Sequence, residues 1–242
     1  MDVKEETLLG RQALAGHWYY VAKGRAVQRM LRGAGPFESV LDVSAGSGVF
    51  ARRLLDHGMA QRALCVDPAY AAEHDEDHGG RPIRFRHAPD DETHQLVLMM
   101  DVLEHVEDDL GLLQAYADRL PAGGVAMITV PAFAFLWSGH DVFLEHRRRY
   151  RLGDVEALVR RAGLEVAEAR YFFGLLFPVV ATLRLIDRVR LGAGLVEPRS
   201  QLAPAPAMLN RALIAVHDLE RAAVFPFNRL AGLSILCRAV KR

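Results

Sequence analysis

Short apolar runs alternate with amphipathic stretches along most of the chain. A run that is apolar throughout predicts a strand covered on both faces, and apolar residues at helical spacing predict a helix packed against a sheet. Buried strands are predicted at 40–43, 63–66, 95–100, 125–131 and 233–240, an edge strand at 83–86 and an alternating strand at 164–171. Helices are predicted to begin near residues 17 and 49 and to cover 110–120 and 152–162. Strands that alternate with helices favour a parallel sheet with helices on both faces.

The segment 172–228 interrupts this rhythm before the last predicted strand. Its first part is an apolar helical stretch that contains Pro178 and runs into three arginines; a proline-rich connection follows at 191–206, and a second helix is predicted at 208–224. Arginines beside a wide apolar surface suit a substrate lid, a dimer surface or an element that lies on a membrane. The segment could also simply cover the sheet. Because its arginines are few and clustered at one end, we expect a substrate lid or a dimer surface rather than a membrane contact.

Length and composition fit one α/β domain, formed by 1–171 and 229–242, with 172–228 as a helical insertion. Apolar residues make up 51% of the 242 positions, which favours a folded globule. Thirty basic side chains balance thirty acidic ones, so no excess charge attracts nucleic acid. The longest apolar run, 171–183, is too short to cross a bilayer. Two cysteines in apolar runs and a charged beginning without a signal-peptide pattern predict a cytoplasmic protein.

Candidate chemistry first appears at 44–48, Ser-Ala-Gly-Ser-Gly, between the first strand and its helix. Glycines let a ligand approach the backbone, and the start of a helix offers free N–H groups to a nucleotide-like ligand. The second strand ends at Asp67, 21 residues after Gly46, a spacing that places a carboxylate against ribose hydroxyls. A phosphate-binding P-loop is disfavoured because no Gly-Lys-Ser/Thr follows, and a dinucleotide site needs a third glycine that 49–52 lacks.

These features resemble the class I S-adenosylmethionine-dependent methyltransferases, whose first motif usually reads Leu-Asp-x-Gly-x-Gly-x-Gly. Residues 41–48 read Leu-Asp-Val-Ser-Ala-Gly-Ser-Gly, so Ser44 replaces the first glycine. Because serine adopts positive φ less readily, the turn is expected to be slightly altered. The resemblance implies S-adenosylmethionine as cofactor and a Rossmann-like, mostly parallel sheet of seven strands, in the order 3-2-1-4-5-7-6, with the seventh antiparallel. The cofactor-binding residues expected from the motif spacing and the likeness are Tyr20, Lys23, Asp42, Ser44, Ala45, Gly46, Gly48, Asp67, Pro68, Ala88, Asp90, Asp101 and Val102.

The stretch 17–23 is the basis for two of these expectations. It resembles the His-Trp-aromatic-aromatic-x-x-basic segment that opens a bacterial branch of the class and covers the cofactor. By that likeness Tyr20 and Lys23 would meet the methionine end of the cofactor, with Lys23 bound to its carboxylate. The alternative is plain packing, with Lys23 and Arg25 in solvent.

A set of potential metal ligands follows the strand at 95–100. If a helix begins near Asp101, then Asp101, Glu104 and His105 share one face of it. The run resembles a segment of the ubiquinone-biosynthesis O-methyltransferases in which an acidic-x-x-Glu-His pattern is associated with a divalent metal, although relatives without a known metal share the pattern. We expect either a site for a cation such as Mg²⁺, or a helix cap at Asp101 with the other two side chains paired to bases. The charged run 74–78 is instead predicted to be a solvated turn.

The segment 137–150 supplies the candidate bases. His140 is the first candidate because an imidazole titrates near neutral pH, and Asp141 could orient it; His105 and His146 are the second candidates. The alternative is a turn stabilised by His140 and Asp141. The segment resembles the His-Asp…His-Arg-Arg-Tyr stretch of the same bacterial branch, which favours the active site. Its arginines are expected to meet an anionic group of a substrate or acidic neighbours.

Taken together, the motifs predict an S-adenosylmethionine-dependent methyltransferase acting on a small molecule, with a hydroxyl on an apolar, aromatic or lipid-like compound as acceptor. Two alternatives stay open: a nicotinamide-dependent oxidoreductase on a similar sheet, and a non-catalytic binding or assembly subunit that keeps the fold. A homodimer or a peripheral contact with a membrane would involve the insertion, and no nucleic acid is expected as a partner.

Overall fold

The computed structural model describes residues 10–195, 197, 198, 200 and 204–242. One sheet of eight strands forms the centre of this part of the chain, in the order β3-β4-β2-β1-β5-β6-β8-β7. The five central strands β4, β2, β1, β5 and β6 are parallel to their neighbours in this group, whereas β8 is antiparallel to both β6 and β7. The strands are β1 Phe37–Val43, β2 Ala60–Val66, β3 His74–Asp77, β4 Pro82–Arg86, β5 Leu96–Met100, β6 Val125–Pro131, β7 Leu164–Phe172 and β8 Ser234–Lys241.

Helices cover both faces of the sheet. Their bounds are α1 Arg11–Gly16, α2 Trp18–Met30, α3 Val49–Asp56, α4 Asp109–Arg119, α5 Gly139–Phe143, α6 Leu152–Arg161, α7 Phe177–Gly192 and α8 Ala207–Ala223, with 3₁₀ turns at Ala134–Leu136 and Phe225–Phe227. Polar side chains begin two of them: the His17 ring accepts from the backbone N–H of Tyr19, and the Asp108 carboxylate accepts from that of Gly111.

Alternation along the strands divides the core into two layers. In β1, Val40 joins the cluster that contains the apolar residues of α2 and α3, whereas Leu41 joins the cluster on the opposite face with α4 and α6. Side chains of successive strand residues point to opposite faces, so a run that is apolar throughout fills both layers. The predicted Rossmann-like α/β fold is confirmed, and setting β3 aside leaves the expected seven-strand order.

The charged run at 74–78 corrects one prediction. It was expected to be a solvated turn, but His74–Asp77 forms β3, which pairs antiparallel with β4. The turn of this hairpin lies at Gly79 and Gly80, whose φ angles are 63° and 79°. The His74 ring stacks on Phe85 at 4.4 Å, and this contact gives a polar strand an apolar partner. Consequently β4 is an inner strand and not the predicted edge.

The insertion forms the two predicted helices, α7 and α8. Asn210 of α8 accepts a hydrogen bond from the backbone of Trp18 at 2.7 Å, and the His217 ring stacks on Trp18 at 5.5 Å, so α8 packs on α2. By contrast, Ala181 is the one buried residue of α7. The predicted connection at 191–206 lies partly outside the described residues. No helix in the described ranges is both long and apolar enough to span a membrane.

Candidate active site

The glycine turn joins the carboxyl ends of β1 and β2. Asp67 accepts from the backbone N–H of Gly46 at 3.1 Å and from that of Ala69 at 3.0 Å, while the Tyr70 hydroxyl donates to the Gly46 carbonyl at 2.8 Å. Ser44 adopts φ 51°, the left-handed region that favours glycine, so the turn is maintained with serine at this position. The exposed Pro68 directly follows Asp67. These contacts hold the first turn and the predicted ribose-binding carboxylate as one unit.

Gly48 ends this turn and begins α3. Its φ is 69°, and a Cβ here would lie 3.0 Å from the Cys65 sulfur. Both the backbone angle and the close approach of β2 therefore require glycine. Ala45, at the beginning of the turn, is also buried, and its carbonyl accepts from the backbone N–H of Gly48 at 2.9 Å. The predicted Ala45, Gly46 and Gly48 therefore lie together just before α3.

Asp42 lies beneath the turn with 1% of its surface exposed. Its Oδ2 atom has no hydrogen-bond partner among the described residues. Burial raises the pKa of this carboxyl to about 7, although the backbone hydrogen bond from Ala51 acts in the opposite direction. Asp42 thus supports the turn from the interior as a group that holds its proton to near neutral pH.

Asp101 follows β5 in a strained conformation with φ 58°. Its backbone N–H donates to the Thr129 carbonyl at 3.0 Å, and its carboxylate accepts from the hydroxyls of Thr129 at 2.9 Å and Tyr19 at 3.3 Å and from the Lys23 ammonium. A left-handed residue followed by an irregular turn does not start a helix, so the predicted helix at Asp101 is wrong. Instead, Asp101 joins α2 to β5 and β6.

The Lys23–Asp101 pair is electrostatically stable although Lys23 is fully buried. Burial by itself would raise the pKa of Asp101, but the Lys23 ammonium outweighs it and holds that pKa at about 2. For Lys23, burial would lower the pKa, and Asp101 and Tyr19 together raise it. Lys23 is therefore not solvated, and a cofactor carboxylate would have to share it with Asp101. Tyr20 is packed against Phe50, and the contacts that both residues were expected to make with the cofactor stay predictions.

A second group of ionisable side chains lies beyond the ends of β5 and β6. One donor atom from each of Glu104, His105 and His146 lies within 4.8 Å of the others. Glu104 is fully buried, and neither of its carboxylate oxygens has a hydrogen-bond partner in the described part of the chain. Burial, reinforced by Asp101, raises its pKa well above the usual range. Of the predicted metal ligands, Asp101 is bound to Lys23 and is separate from this group, whereas His146 lies beside Glu104 and His105; a metal at this place stays a prediction.

Asp141 orients His146. It is fully buried and accepts from Arg149 Nε at 2.7 Å, from Arg149 Nη2 at 3.0 Å and from the backbone N–H of Ser138 at 2.9 Å. Burial opposes its ionisation, but His146 and Arg149 lower its pKa below the usual value. An ionised carboxylate can only accept, so His146 donates from Nδ1 at 2.9 Å. In a neutral ring, Nε2 of His146 is then left as a proton acceptor or a metal ligand.

The other two candidate bases are close to His146. The ring centroids of His105 and His140 lie 4.8 Å and 6.4 Å from that of His146. Burial lowers the pKa of His105 and of His140 to about 4 in each case, so both rings are neutral at neutral pH. The structure thus brings the three predicted histidines together, and Asp141 orients His146 among them. The ranking of His140 as first base stays a prediction.

The two expected adenine neighbours, Ala88 and Asp90, lie in different surroundings. Ala88 is exposed in the turn after β4, and Asp90 accepts from Arg84 at 2.8 Å and lies 3.3 Å from His94 Nε2. Asp90 is therefore part of a group of paired charges, and its contact with adenine stays a prediction. Val102 is buried directly after Asp101, beside the rim where the glycine turn lies.

Sequence reasoning missed Tyr19 and Thr129 as partners of Asp101, and Arg149 as the partner of Asp141. The three consecutive arginines were one signal, since acidic neighbours were among the partners expected for them. Arg148 pairs with Asp109 at 3.1 Å, and Arg147 donates to the His105 carbonyl at 3.1 Å. These arginines thus bind acidic or carbonyl groups of this chain.

Comparison with known proteins gives consistent results. The family described as a methyltransferase domain matches residues 15–169. A chain of the complex between the Haloferax volcanii Trm112 methyltransferase activator and a methyltransferase is 20% identical with a TM-score of 0.56, and the match covers 99% of this chain and 98% of that chain. An S-adenosylmethionine-dependent methyltransferase from Archaeoglobus fulgidus is 14% identical, with a TM-score of 0.54 and coverage of 98% and 97%. An S-adenosylmethionine-dependent methyltransferase from Mesorhizobium loti is 17% identical with a TM-score of 0.55, and the match covers 91% of this chain and 98% of that chain.

No functionally curated protein gives a significant sequence match. The structural likenesses, at these low identities, establish the fold. A glycine turn bound to an acidic residue after the second strand, in a sheet of this order, defines a class I S-adenosylmethionine-dependent methyltransferase. Because the family match extends over more than half of the chain, the protein belongs to the methyltransferase domain family, and its cofactor is S-adenosylmethionine. The nicotinamide alternative is set aside, and the likeness to ubiquinone-biosynthesis enzymes stays a prediction.

Proposed function

We propose that the protein methylates a hydroxyl group of a small apolar or lipid-like acceptor, and that His146 accepts the hydroxyl proton. The observation that carries this proposal is the contact of His146 Nδ1 with Asp141, whose carboxylate is fully buried and bound by Arg149. A buried, ionised carboxylate that fixes the tautomer of a histidine is the arrangement that general-base catalysis needs.

The cofactor side of the site is the unit formed by the glycine turn and Asp67. Backbone N–H groups at the start of α3 suit a nucleoside, and the Asp67 carboxylate suits ribose hydroxyls. S-adenosylmethionine supplies an electrophilic methyl group on a sulfonium when bound. The protein has to exclude water and hold the acceptor oxygen in line with the methyl carbon.

In this proposal His146 accepts the proton of the acceptor hydroxyl. Nε2 would take the proton of the acceptor O–H as the oxygen receives the methyl group that bound S-adenosylmethionine would supply, with S-adenosylhomocysteine as the leaving group. The products are a methyl ether, S-adenosylhomocysteine and an imidazolium. Asp141 stabilises the imidazolium through the hydrogen bond at Nδ1. The proton leaves to solvent before the next turnover.

The same cluster fits a divalent cation. Glu104 offers two carboxylate oxygens without partners in the described structure, and His105 and His146 each offer a ring nitrogen. Two imidazoles and one carboxylate favour a borderline cation such as Zn²⁺ or Mn²⁺ over Mg²⁺. Asp141 would then support a ligand through its second nitrogen, as carboxylates commonly do in metal sites, and His146 Nε2, being a ligand, would no longer accept the hydroxyl proton. A cation at this place would supply a Lewis acid that lowers the pKa of the acceptor hydroxyl.

Calorimetric titration with S-adenosylmethionine and with S-adenosylhomocysteine, followed by transfer of a labelled methyl group to a phenol, a catechol and a long-chain alcohol, tests the proposal. We expect saturable binding of both cofactor forms and transfer to at least one hydroxyl. Absence of cofactor binding would refute the cofactor assignment. Binding without transfer to any of the three acceptors would favour the non-catalytic alternative.

Two histidine variants test the base. We expect His146→Ala to lower turnover by about 10²–10³-fold, because it removes the proton acceptor, and to leave the affinity for S-adenosylhomocysteine within about threefold. His140→Ala is the matched control and should lose less than about tenfold, since Asp141 binds His146. The reverse order of the two losses would assign the proton to His140, as the sequence predicted.

A further inference from the structure

The Arg184 guanidinium, in the middle of α7, is a buried cation without a hydrogen-bond partner among the described residues. Its side chain is 12% exposed, and its Nε and Nη1 atoms are both buried and have no acceptor in that part of the chain. A buried charge is costly unless it is paired and hydrogen-bonded. The neighbouring arginines have acceptors, since Arg149 binds Asp141 and Arg188 donates to the Phe135 carbonyl. Arg184 differs from them because its donors are left for another group.

Arg184 lies next to the proposed base. Its Nη1 atom is 4.0 Å from Asp141 Oδ2, and His146 Nδ1 donates to the other oxygen, Oδ1, at 2.9 Å. The guanidinium and the imidazole therefore lie at the two oxygens of one carboxylate. His146 Nε2, where the acceptor hydroxyl is proposed to lie, is the ring nitrogen that does not bind Asp141. The two groups are close enough for one small molecule to contact both.

Asp141 is not available as the hydrogen-bond partner of Arg184. Its two oxygens already accept from Arg149 Nε and Nη2, from the Ser138 backbone N–H and from His146. These four donors use the roughly four lone-pair positions that a carboxylate offers. The separation of 4.0 Å is also too long for a hydrogen bond. Because Arg149 already balances the charge of Asp141, the charge of Arg184 is left for another anion.

Contacts of α7 fix the side of the helix on which Arg184 lies. Arg184, Asp187 and Arg188 are separated by three and four residues, so they share one side of the helix. On that side Asp187 accepts from the backbone N–H of Gly139 at 3.0 Å, and Arg188 donates to the Phe135 carbonyl at 3.4 Å. Both contacts hold this side of α7 against the segment that leads to the proposed base. Through them, the insertion brings a cation to the active site.

We propose that Arg184 binds a carboxylate of the acceptor, so that the protein methylates a hydroxyl group of a hydroxy acid with an apolar body. A guanidinium matches the planar geometry of a carboxylate, and such pairs form two parallel hydrogen bonds. A single negative charge suits this place better than a phosphate dianion, because Asp141 and Asp187 lie on either side of the choice as nearby negative charges. The hydroxyl in this statement rests on the proposed function, whereas the carboxylate site does not.

Calorimetric titration of the full chain in complex with S-adenosylhomocysteine tests the site. The probes are two hydroxy acids, meta-hydroxyphenylacetate and ω-hydroxylaurate, and each is compared with its own methyl ester. We expect at least one acid to bind at least about tenfold more tightly than its ester, because hydrogen bonds to a buried charged group are strong. Equal affinity of acid and ester in both pairs, or binding of neither acid, would overturn the proposal.

Substitutions on α7 assign the preference for the acid to one side chain. Arg184→Met keeps an apolar side chain but removes the guanidinium, and it should abolish the preference. Arg184→Lys keeps the charge without the fork and should restore part of it. The matched control is Arg188→Met, at an exposed arginine of the same helix, and it should keep the preference within about threefold. An equal loss in Arg184→Met and Arg188→Met would refute the assignment to Arg184.

Thermal unfolding without an acceptor separates binding from a structural role. Arg184→Met should leave the midpoint unchanged or raise it, since it removes a buried charge without a hydrogen-bond partner in the described structure. A lower midpoint together with an unchanged preference for the acid would show that Arg184 serves the fold and not the acceptor. The affinity for S-adenosylhomocysteine should be the same in all variants.

Transfer of a labelled methyl group distinguishes failure of this inference from failure of the proposed function. Acids that bind through Arg184 but receive no methyl group would support the carboxylate site and contradict the proposed methylation of a hydroxyl. Transfer to a neutral alcohol without any preference for acids would support the proposed function and refute the role of Arg184.

Discussion

At the scale of single residues, Asp101 shows how a local conformation decides the chemistry of a site. Its φ of 58° is stabilised because the backbone N–H donates to both the carbonyl and the hydroxyl of Thr129. This conformation aims the carboxylate at Lys23 and away from the Glu104 cluster. A helical Asp101 would present its carboxylate on the same face as Glu104. A left-handed aspartate therefore separates the buried ion pair from the candidate metal ligands.

Asp42 should give the fold a characteristic dependence on pH. Its pKa is about 7 in the folded state against 3.8 as the ordinary value, so between those pH values the folded state holds a proton that the unfolded state has lost. Its contribution to the free energy of unfolding is complete below about pH 4 and is lost as pH rises through 7. As pH rises across this range, we expect the free energy of unfolding of wild type to fall by about 2–4 kcal/mol relative to that of Asp42→Asn, as measured by urea unfolding.

Glu38 of the same strand provides the control for this experiment. Its side chain is 71% exposed, so Glu38→Gln should leave the pH profile of wild type unchanged. If the wild-type and Asp42→Asn profiles run parallel from pH 4 to 7, Asp42 does not hold its proton in the folded state.

Glu104 gives a direct test of the cation site. In a saturating concentration of Zn²⁺, about 100 times its Kd, the wild-type midpoint of thermal unfolding should rise by about 5–10 °C, because a ligand that binds the folded state stabilises it. Glu104→Gln should abolish this rise and leave the midpoint in chelator unchanged or higher, since it removes a buried carboxyl whose oxygens have no partner in the described structure.

His140→Ala is the matched control here, because His140 is not one of the three clustered donors. It should keep the response to Zn²⁺. The cation site is excluded if Glu104→Gln responds to Zn²⁺ as strongly as wild type does.

At the scale of elements, the two helices of the insertion behave differently although both were predicted from their periodicity. Helix α8 is joined to the domain by a buried carboxylate: Glu220 accepts from the backbone N–H of Gly174 at 2.6 Å and from His217 at 2.8 Å. The stacked pair of His217 and Trp18 continues this contact to α2. Through α2, the insertion also supports Lys23 and its partner Asp101.

Loss of this carboxylate should destabilise the whole chain. Glu220→Ala leaves a backbone N–H and a histidine without their acceptor in a fully buried place, and we expect the free energy of unfolding to fall by about 3 kcal/mol. Asp218→Ala, two residues away, removes a half-exposed carboxylate that pairs with Arg25 and should cost less than about 1 kcal/mol. If urea unfolding gives the same decrease in the free energy of unfolding for both variants, the buried contacts of Glu220 contribute no more to stability than the exposed pair of Asp218.

The elements that the sequence predicted well are those whose signal is local. Apolar runs and alternating stretches located seven of the eight strands, and the glycines after 120 and 162 marked the ends of α4 and α6. β3 was missed because its strand character comes from its partner, Phe85, across a hairpin. The helix at Asp101 was wrong because the hydrogen bonds that fix its φ come from Thr129, which lies 28 residues away.

At the scale of the whole molecule, the cofactor turn could be predicted because a strand, a glycine turn and an acidic residue follow one another at fixed spacing, whereas the sheet order was implied by the resemblance to class I methyltransferases. Three histidines could be predicted as candidate bases, with His140 first. Our proposal of His146 rests on its hydrogen bond to Asp141 and on the binding of Asp141 by Arg149, and both contacts depend on how the segment after β6 folds. Side-chain orientation of this kind has no local signature in sequence.

The place of β8 between β6 and β7 has a consequence for how the chain reaches this structure. β7 is complete at Phe172, yet its only sheet neighbour in the described structure begins at Ser234, after the insertion. Until that segment arrives, β6 and β7 each keep an unpaired edge, and unpaired strand edges are sites of aggregation. The last strand of the chain, β8, is inserted between two strands that precede it in sequence, and such long-range pairing slows folding. Refolding yield should therefore be governed by chain concentration during the interval before β8 docks.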